Sequence, residues 1–353
     1  MKASLHGSRT GGPRLEALRP GAAMPGGEVE LLGSGLQPEV SGMLPTARVG
    51  DGPAHLALSR PDRAVIRVLD GTISGDVELR AGQGTSNGLA LRVAVPMAEG
   101  LHPVANPAVD SDGTVYSTIS GARGQSVPVS VFSIARDFQM RPFVRDLMNA
   151  TGLAFGPDGF LYVSSRAEGT VYRISTDGEM STYAEGMGIA TGIAFDGEGN
   201  LYVGDRSGTI FRVGPDRGAM AERQIFVYAT LEPSIAAYHL AFNDEGTLFV
   251  TGPTTSSNQA VYAIDRDGHT SLFYRGLGRA QGMALDVDGN LYVVASLRGQ
   301  RGIVRITPGH EASLALSGNN LVGLAFLEDG MAVLATKDAL YHVALDVEGR
   351  PLL

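Results

Sequence analysis

The sequence contains no cysteine and only two lysines, Lys2 and Lys337. The lack of cysteine excludes disulfide bonds, thiol catalysis and cysteine-ligated zinc or iron–sulfur sites. The scarcity of lysine leaves almost no candidate for a Schiff-base lysine or for the lysine of a phosphate-binding loop. There is no apolar run of about 18 residues, so no transmembrane helix is expected. Residues 1–25 lack the apolar stretch of a signal peptide, so we expect a cytoplasmic protein, or a secreted or surface protein if the start is misassigned.

The charge of the chain is negative and unevenly distributed. The formal net charge is −9 over 353 residues, and residues 96–353 alone carry 18 basic and 28 acidic side chains. An acidic body disfavours nucleic acid and anionic membranes as partners, so we expect a small molecule or another protein. Hydrophobic residues make up 43% of the chain and charged residues 18%, which excludes a disordered chain. The length predicts two or three domains.

A segment of 40–47 residues recurs six times after residue 104. The clearest copies are TGLAFGPDGFLYVSSRAEGTVYRI from residue 151 and TGIAFDGEGNLYVGDRSGTIFRV from residue 191. Each copy predicts four short strands, with an acidic turn that contains glycine between the first and the second. A period of this length with four strands per unit indicates the blades of a β-propeller. The equivalent positions of the six copies are Asn106, Gly152, Gly192, His239, Gly282 and Gly323.

The two ends of the repeat region are expected to meet in one blade. Residues 92–98 are predicted to form its fourth strand, and the last copy supplies the other three at 321–326, 331–336 and 339–345. A blade shared in this way closes the ring and removes open sheet edges. The alternative is that residues 88–95 end the N-terminal domain.

The region before the repeats has a different pattern. Residues 13–91 contain short alternating strands between Gly, Pro and Asp turns, which predicts a small β-sandwich. Residues 1–12 are predicted to be a flexible tail. The predicted fold class is therefore all-β, with an immunoglobulin-like sandwich at 13–91 and a six-bladed β-propeller at 92–353.

Both regions resemble known families. The stretch LRPGAAMPGGEVELLGSGL, with SGDVELRA and LALRVA, is similar to IPT/TIG domains, which are immunoglobulin-like sandwiches. The repeats, ATGIAFDGEGNLYVGDRSGTIFRV above all, resemble the six-bladed propellers of the NHL-repeat and senescence-marker-protein/gluconolactonase group. This second resemblance implies the propeller fold and raises hydrolysis of a lactone or ester as an activity. It does not fix the function, because one fold serves many chemistries.

The resemblance to gluconolactonase-like enzymes also implies a divalent metal in the central channel. In those enzymes the ligands are Glu, Asn and Asp side chains just before the repeat glycine, and such hard oxygen ligands suit Ca²⁺ and polarise a bound water or lactone. The matching positions in this sequence are Ala105, Thr151, Thr191, Tyr238, Gln281 and Val322. Since none is a carboxylate, we predict no cofactor. Binding of a Ca²⁺, Mn²⁺ or Zn²⁺ ion through other ligands is the alternative.

Two histidines are candidate catalytic residues. His239 stands where four of the six copies have glycine, at the start of an inner strand, and its imidazole could act as a base or bind a metal together with His102. The alternative is that His239 fills space in a blade whose preceding loop is longer. Further polar side chains are predicted to face the channel and bind a ligand: Asn106, Asn149, Thr151, Thr191, Tyr238, Gln281 and Asn320.

Arginines are concentrated in the loops between the second and third strands of the repeats. These loops are expected to share a face with the beginning of the inner strands, and on an acidic protein they form a positive rim suited to an anionic ligand or an acidic partner loop. Ordinary solvated loops with local ion pairs are the alternative. The arginines are Arg123, Arg166, Arg206, Arg298 and Arg301.

Three functional hypotheses follow. The first is binding of a ligand or partner by the arginine-rich face and the channel, without catalytic machinery. The second is divergent gluconolactonase-like hydrolysis that uses His239 and His102. The third is a purely structural role for both domains.

Overall fold

Short strands joined by tight turns make up the protein, as the alternating sequence pattern predicts. The computed structural model describes residues 12–37, 44–122, 124–215 and 223–350. Within these ranges the helical structure is a single 3-10 turn at Glu328–Gly330, which confirms the all-β class. No helix in the described part of the chain has the length and hydropathy needed to cross a bilayer.

The chain divides into two compact units. The described residues of Met1–Val95 and Ala315–Gly318 form the first, and those of Pro96–Leu314 and Asn319–Leu353 form the second. The predicted tail at 1–12 lies outside the described residues except for Gly12.

The first unit is built from two antiparallel sheets. β1, β3, β6 and β5 pair in that order, and β4, β7 and β9 pair as a second set, with β5 also bonded to β4. Val29 and Leu31 of β3 and Val77 and Leu79 of β7 are fully buried in one apolar core. The IPT/TIG assignment stays a prediction. The strands are β1 (Arg14–Arg19), β2 (Ala22–Ala23), β3 (Glu28–Ser34), β4 (Thr46–Val49), β5 (Gly52–Ser59), β6 (Arg63–Arg67), β7 (Gly75–Ala81), β8 (Gly84–Thr85) and β9 (Leu89–Val93).

The second unit has a β-propeller arrangement of four-stranded antiparallel meanders. Four of them are separate sheets: β11–β14, β15–β18, β19–β22, and β31–β33 with β10 bonded to β33. The first three sheets comprise β11 (Ala108–Val109), β12 (Val115–Thr118), β13 (Val131–Ile134), β14 (Met140–Val144), β15 (Ala150–Phe155), β16 (Leu161–Ser165), β17 (Thr170–Ile174), β18 (Met180–Ala184), β19 (Ala190–Phe195), β20 (Leu201–Asp205), β21 (Thr209–Val213) and β22 (Ile225–Thr230). The fourth comprises β10 (Val95–Glu99), β31 (Leu321–Phe326), β32 (Met331–Thr336) and β33 (Ala339–Ala344).

Two further meanders, β23–β26 and β27–β30, are joined into one larger sheet. β26 pairs with β28 as well as with β25, so the sheet pattern alone does not separate two blades here. The number of blades therefore stays a prediction, while the propeller arrangement is confirmed. The strands are β23 (His239–Phe242), β24 (Leu248–Thr251), β25 (Gln259–Ile264), β26 (Thr270–Gly278), β27 (Met283–Leu285), β28 (Leu291–Leu297), β29 (Gln300–Ile306) and β30 (Ala312–Ser317).

The strand predicted at 92–98 is divided between the two units. β9 ends at Val93 and pairs with β7, whereas β10 begins at Val95 and is bonded to β33. The fully buried Ala94 separates the two strands, and the boundary between the units falls after Val95. Residues 95–99 thus supply the fourth strand of the sheet β31–β33, and closure of a ring by this strand stays a prediction.

The acidic turns are held by their own side chains. In the turn after β19, one carboxylate oxygen of Asp196 accepts the backbone N–H groups of Glu198 and Asn200, at 2.9 Å each, and the other accepts the hydroxyl of Tyr202. Gly199 has a φ of +80°, a conformation that favours glycine. This is the hairpin chemistry expected from the repeat, and it orients the tyrosine of the second strand.

In four meanders that tyrosine contacts the next meander along the chain. Tyr162 of β16 meets Phe195 of β19 edge to face, with ring centroids 4.7 Å apart, and Tyr202 of β20 meets Phe242 of β23 at 4.8 Å. The pairs Tyr116–Phe155 and Tyr292–Phe326 repeat the contact. Each pair contributes about 1 kcal/mol beyond the area it buries. The phenylalanines that end the inner strands are fixed by these contacts.

Candidate functional site

The inner strands approach one another closely at the repeat glycine. A β-carbon on Gly192 would lie 2.2 Å from the carbonyl oxygen of Tyr238, and one on Gly152 would lie 2.3 Å from that of Thr191. No real β-carbon tolerates such a distance to backbone, so these positions require glycine. We call the six equivalent positions the glycine layer: Asn106, Gly152, Gly192, His239, Gly282 and Gly323.

Asn106 occupies the space that two of these glycines leave. Its side-chain nitrogen donates to the carbonyl oxygen of Met283 at 2.7 Å, and its oxygen accepts the backbone N–H of Leu324 at 3.2 Å. A β-carbon on Gly282 would lie 2.2 Å from that amide oxygen. Asn106 therefore ties two inner strands together, which is a positioning role rather than an open ligand contact.

His239 is the other member of the layer that carries a side chain. It is 3% exposed, and its Nε2 has no hydrogen-bond partner among the described residues. Burial lowers the pKa of His239 to about 4, so its imidazole is neutral at neutral pH. It lies opposite Thr251 in the pairing of β23 with β24.

This buried imidazole predicts an acid-sensitive fold. Above pH 6.5 the ring is neutral in the folded and unfolded states and does not affect the pH dependence. As the pH falls from 6.5 to about 4, only the unfolded chain takes up the proton, so the free energy of unfolding should fall by about 3 kcal/mol. Urea unfolding of the wild type and of His239→Phe at several pH values measures this loss.

The control for this prediction is His269→Gln, which removes an exposed imidazole. We expect this variant to keep the wild-type loss of stability below pH 6.5, whereas His239→Phe should lack most of it. A wild-type slope in His239→Phe would show that other groups carry the acid sensitivity.

A cavity of about 140 Å³ lies in the channel of the second unit, beside the glycine layer on the side of the acidic turns. Its wall is made by one segment from each inner strand or from the residues just before it, and the side chains of these segments are apolar apart from Asn106. The contributing segments are Asn106–Ala108, Leu153–Phe155, Ile193–Phe195, Leu240–Phe242, Met283–Leu285 and Leu324–Phe326. Inner strands are paired on one side only, so backbone N–H and C=O groups of their free edges also face the channel.

The segment after β33 lies against the mouth of this cavity. The backbone N–H of Val287 donates to the carbonyl oxygen of Glu348 at 3.0 Å, and that of Arg350 donates to Leu285 at 3.0 Å. A β-carbon on Gly349 would lie 2.1 Å from the side chain of Phe326. The C-terminal segment is therefore bonded to the cavity wall rather than free.

Arg350 is the charged residue of the cavity lining. Its guanidinium donates to the carbonyl oxygen of Phe242 and forms an ion pair with Asp244 at 2.5 Å. The side chain of Arg350 is 22% exposed, whereas that of Asp244 is 85% exposed. The sequence predicted a ligand in the channel and named Asn106, but Arg350 was not among the candidate residues, since it lies 108 positions from Phe242 and belongs to no repeat.

The polar residues predicted to face the channel are mostly buried and bonded within the protein. The hydroxyl of Thr151 donates to the carbonyl oxygen of Asn149 at 2.9 Å, and that of Thr191 donates to Gly204 at 2.7 Å. Tyr238 donates to the carbonyl oxygen of Glu232, and burial raises the pKa of its phenol to about 12. Gln281 accepts a hydrogen bond from Arg279 at 3.3 Å. Asn320 is exposed.

Asn149 holds the loop that follows β12. It is fully buried, its oxygen accepts the N–H of Gly124 at 2.9 Å, and its nitrogen donates to the carbonyl oxygens of Gly121 and Ala122 at 2.8 and 2.9 Å. Its φ of +50° belongs to the left-handed region, which asparagine tolerates better than most residues. The side chain of Asn149 thus provides the hydrogen-bond partners that the backbone groups of this irregular loop would otherwise find in a neighbouring strand.

The loop arginines fall into two groups. Arg166 donates to the carbonyl oxygen of Gly121 at 2.8 Å, and Arg206 donates to that of Ile235 at 3.2 Å, so both brace neighbouring loops. Arg298 and Arg301 are exposed. Arg123 lies outside the described residues. The positive rim stays a prediction.

The two candidate catalytic histidines differ in environment. His102 is exposed, and its Nδ1 lies close to the carbonyl oxygen of Ser120, whereas His239 is buried in the glycine layer. In the described ranges, the cluster of three potential metal ligands consists of Asp265, Asp267 and His269, all exposed. Asp265 there accepts the backbone N–H groups of Asp267 and His269, which is again turn chemistry.

A metal of the gluconolactonase type does not fit the residues at the matching positions. Thr151 and Thr191 use their hydroxyl protons on carbonyl oxygens of the protein, and Ala105 and Val322 have no donor atom. Ca²⁺ takes six to eight oxygen ligands, usually with several carboxylates.

Comparisons with solved structures extend the fold assignment. A protein of unknown function from Bacteroides thetaiotaomicron aligns over 96% of this chain and 99% of its own, with a TM-score of 0.58 and 13% identity. A gluconolactonase from Xanthomonas campestris aligns over 85% and 99%, with a TM-score of 0.58 and 14% identity. An auxiliary nutrient binding protein from Bacteroides ovatus aligns over 95% and 98%, with a TM-score of 0.52 and 12% identity.

These similarities support the propeller fold and carry no activity to this chain. At identities of 12–14% a structural likeness shows the fold alone, because one fold serves many functions. No family model matches the chain, and no curated protein matches it.

Proposed function

We propose that the second unit binds a small, largely apolar molecule in its central cavity. The observation that carries the proposal is the cavity of about 140 Å³ lined by segments of the inner strands. An apolar cavity of about 150 Å³ in another protein binds benzene. The wall also offers backbone groups at the strand edges, which could bond to a polar substituent of the ligand.

The cavity wall supports a propeller of six blades. Six equivalent segments contribute to it, one from each inner strand or the residues just before it, and the two meanders joined by β26 and β28 contribute in the same way as the separate sheets. In this proposal the first unit is an IPT/TIG-like sandwich that contacts a partner protein, and the arginine-rich loops are a second contact surface.

The neighbours include proteins of both proposed classes. One is named a nutrient binding protein and another a gluconolactonase. Binding is favoured over hydrolysis for this chain, because most of the polar side chains predicted to face the channel form hydrogen bonds within the protein and are not available to act on a substrate. The second candidate is hydrolysis, and the observation in its favour is the neutral, buried imidazole of His239 with an unpartnered Nε2.

Toluene is a suitable probe for the cavity because it has the expected size and no charge. We expect saturable binding with a dissociation constant on the order of 1 mM or tighter, measured by saturation-transfer NMR and by the shift in thermal midpoint. Ala284→Phe should fill the cavity and reduce the affinity at least about tenfold. Ala241→Leu provides a milder filling variant at another point of the wall.

The matched control is Ala167→Phe, which adds the same bulk to an exposed loop. Circular dichroism identifies which variants are folded. Undiminished toluene binding by a folded cavity variant, or no binding by the wild type, would reject the proposed function. Turnover of a lactone by the wild type that is lost in His239→Phe would favour the second candidate.

A further inference from the structure

At the mouth of the cavity, the guanidinium of Arg350 lies beside an apolar pocket. Arg350 is the charged side chain in a lining otherwise formed by apolar residues and Asn106. Its position is fixed twice, by its backbone bond to Leu285 and by its side-chain bond to the carbonyl oxygen of Phe242. An arginine held in this way does not have to be ordered when an anion binds, which favours affinity.

The partner of Arg350 is held less firmly. Asp244 is 85% exposed and lies in the turn between β23 and β24, so its carboxylate forms the solvent-facing side of the ion pair. Exposed ion pairs contribute little to stability because water and salt compete with them. A carboxylate arriving from the cavity side can therefore replace Asp244 at small cost.

We propose that the ligand of this cavity is a small apolar carboxylate. Its hydrocarbon part occupies the space among the inner strands, and its carboxylate binds the Arg350 guanidinium in exchange for Asp244. The planar guanidinium can offer two parallel N–H groups to a carboxylate. This inference rests on the proposed function, since it names the chemical class that the same cavity takes.

Benzoate and benzamide test the charge at constant size and shape. For the wild type we expect benzoate to bind about tenfold more tightly than benzamide, the difference between a charge-assisted pair and a neutral hydrogen bond. Asp244→Asn removes the competing carboxylate and should strengthen benzoate binding several-fold while leaving benzamide unchanged. Arg350→Gln should abolish the preference for benzoate.

Two controls separate this inference from the proposed function. Asp267→Asn removes a negative charge from another exposed turn and should leave both affinities at their wild-type values. Toluene binding reports on the cavity without the charge. If toluene binds but benzoate and benzamide bind with equal affinities, the inference is overturned and the proposed function stands. If none of the three compounds binds, the proposed function is overturned as well.

The effect of Arg350→Gln also needs a check, because Arg350 bonds to the cavity wall. Arg350→Lys keeps the charge and loses the forked donor geometry, so it should retain only part of the preference for benzoate. If Arg350→Gln loses toluene binding too, Arg350→Lys and Asp244→Asn decide the inference. A benzoate affinity that neither of these variants changes would reject the exchange of Asp244 for the ligand.

Discussion

Replacing Gly192 by alanine is expected to lower the free energy of unfolding by about 3 kcal/mol or more. The new methyl group would lie 2.2 Å from the carbonyl oxygen of Tyr238 and 2.8 Å from its carbonyl carbon. Both atoms belong to backbone, so relief of the clash requires a shift of β19 against β23 rather than a change of rotamer. Urea unfolding followed by circular dichroism measures the loss.

Gly214→Ala is the matched control for this prediction. Gly214 follows β21 in the same sheet, and a β-carbon there would have no heavy atom within 4 Å. Its backbone does not require glycine, so alanine should leave the stability unchanged or raise it by up to about 1 kcal/mol. Equal stabilities of the two variants would show that the inner strands can separate without cost.

The second large effect is expected for Asn149→Ala, which should lower the free energy of unfolding by about 3 kcal/mol. The substitution removes three hydrogen bonds to the backbone of Gly121, Ala122 and Gly124, and it places alanine at a positive φ. Hydrogen exchange at Gly124 should also become faster, because the amide loses its acceptor.

Asn320→Ala isolates the conformational part of that effect. Asn320 holds the equivalent position before the inner strand β31 and has a φ of +60°, but its side chain is exposed. Its replacement should therefore cost only about 1 kcal/mol. Similar losses for Asn149→Ala and Asn320→Ala would mean that the loop bonds of Asn149 contribute nothing to stability.

The repeat predicted the strands of the second unit closely. The strands expected at 321–326 and 331–336 occur at Leu321–Phe326 and Met331–Thr336, and the acidic turns have the expected side-chain bonds. These features are local, since hydrophobic alternation and turn chemistry act within one meander. The alternation also predicted that the first unit consists of short strands, and its sandwich architecture stays a prediction.

The candidate site was less predictable because it depends on distances between meanders. The hydroxyls of Thr151 and Thr191 lie where the inner strands touch and water is excluded, so each must find a partner inside the protein. The cavity depends on the phenylalanines that end the inner strands and on a segment more than a hundred residues away from Phe242 in sequence. The pattern of one repeat shows neither the distance between meanders nor the contact with this remote segment.

The glycine layer also limits how this channel can be altered, by evolution or by design. At Gly152 and Gly192 only a hydrogen atom fits, and at Gly282 the obstacle includes the side chain of Asn106 itself. New chemistry in the layer is therefore most accessible at residues 106 and 239, which already carry side chains. A shorter residue at 106 would remove only part of the obstacle at 282, because a β-carbon there would still lie 2.5 Å from the α-carbon of Gly323 and 2.7 Å from the carbonyl oxygen of Val322. Position 282 is therefore expected to require glycine whatever residue stands at 106.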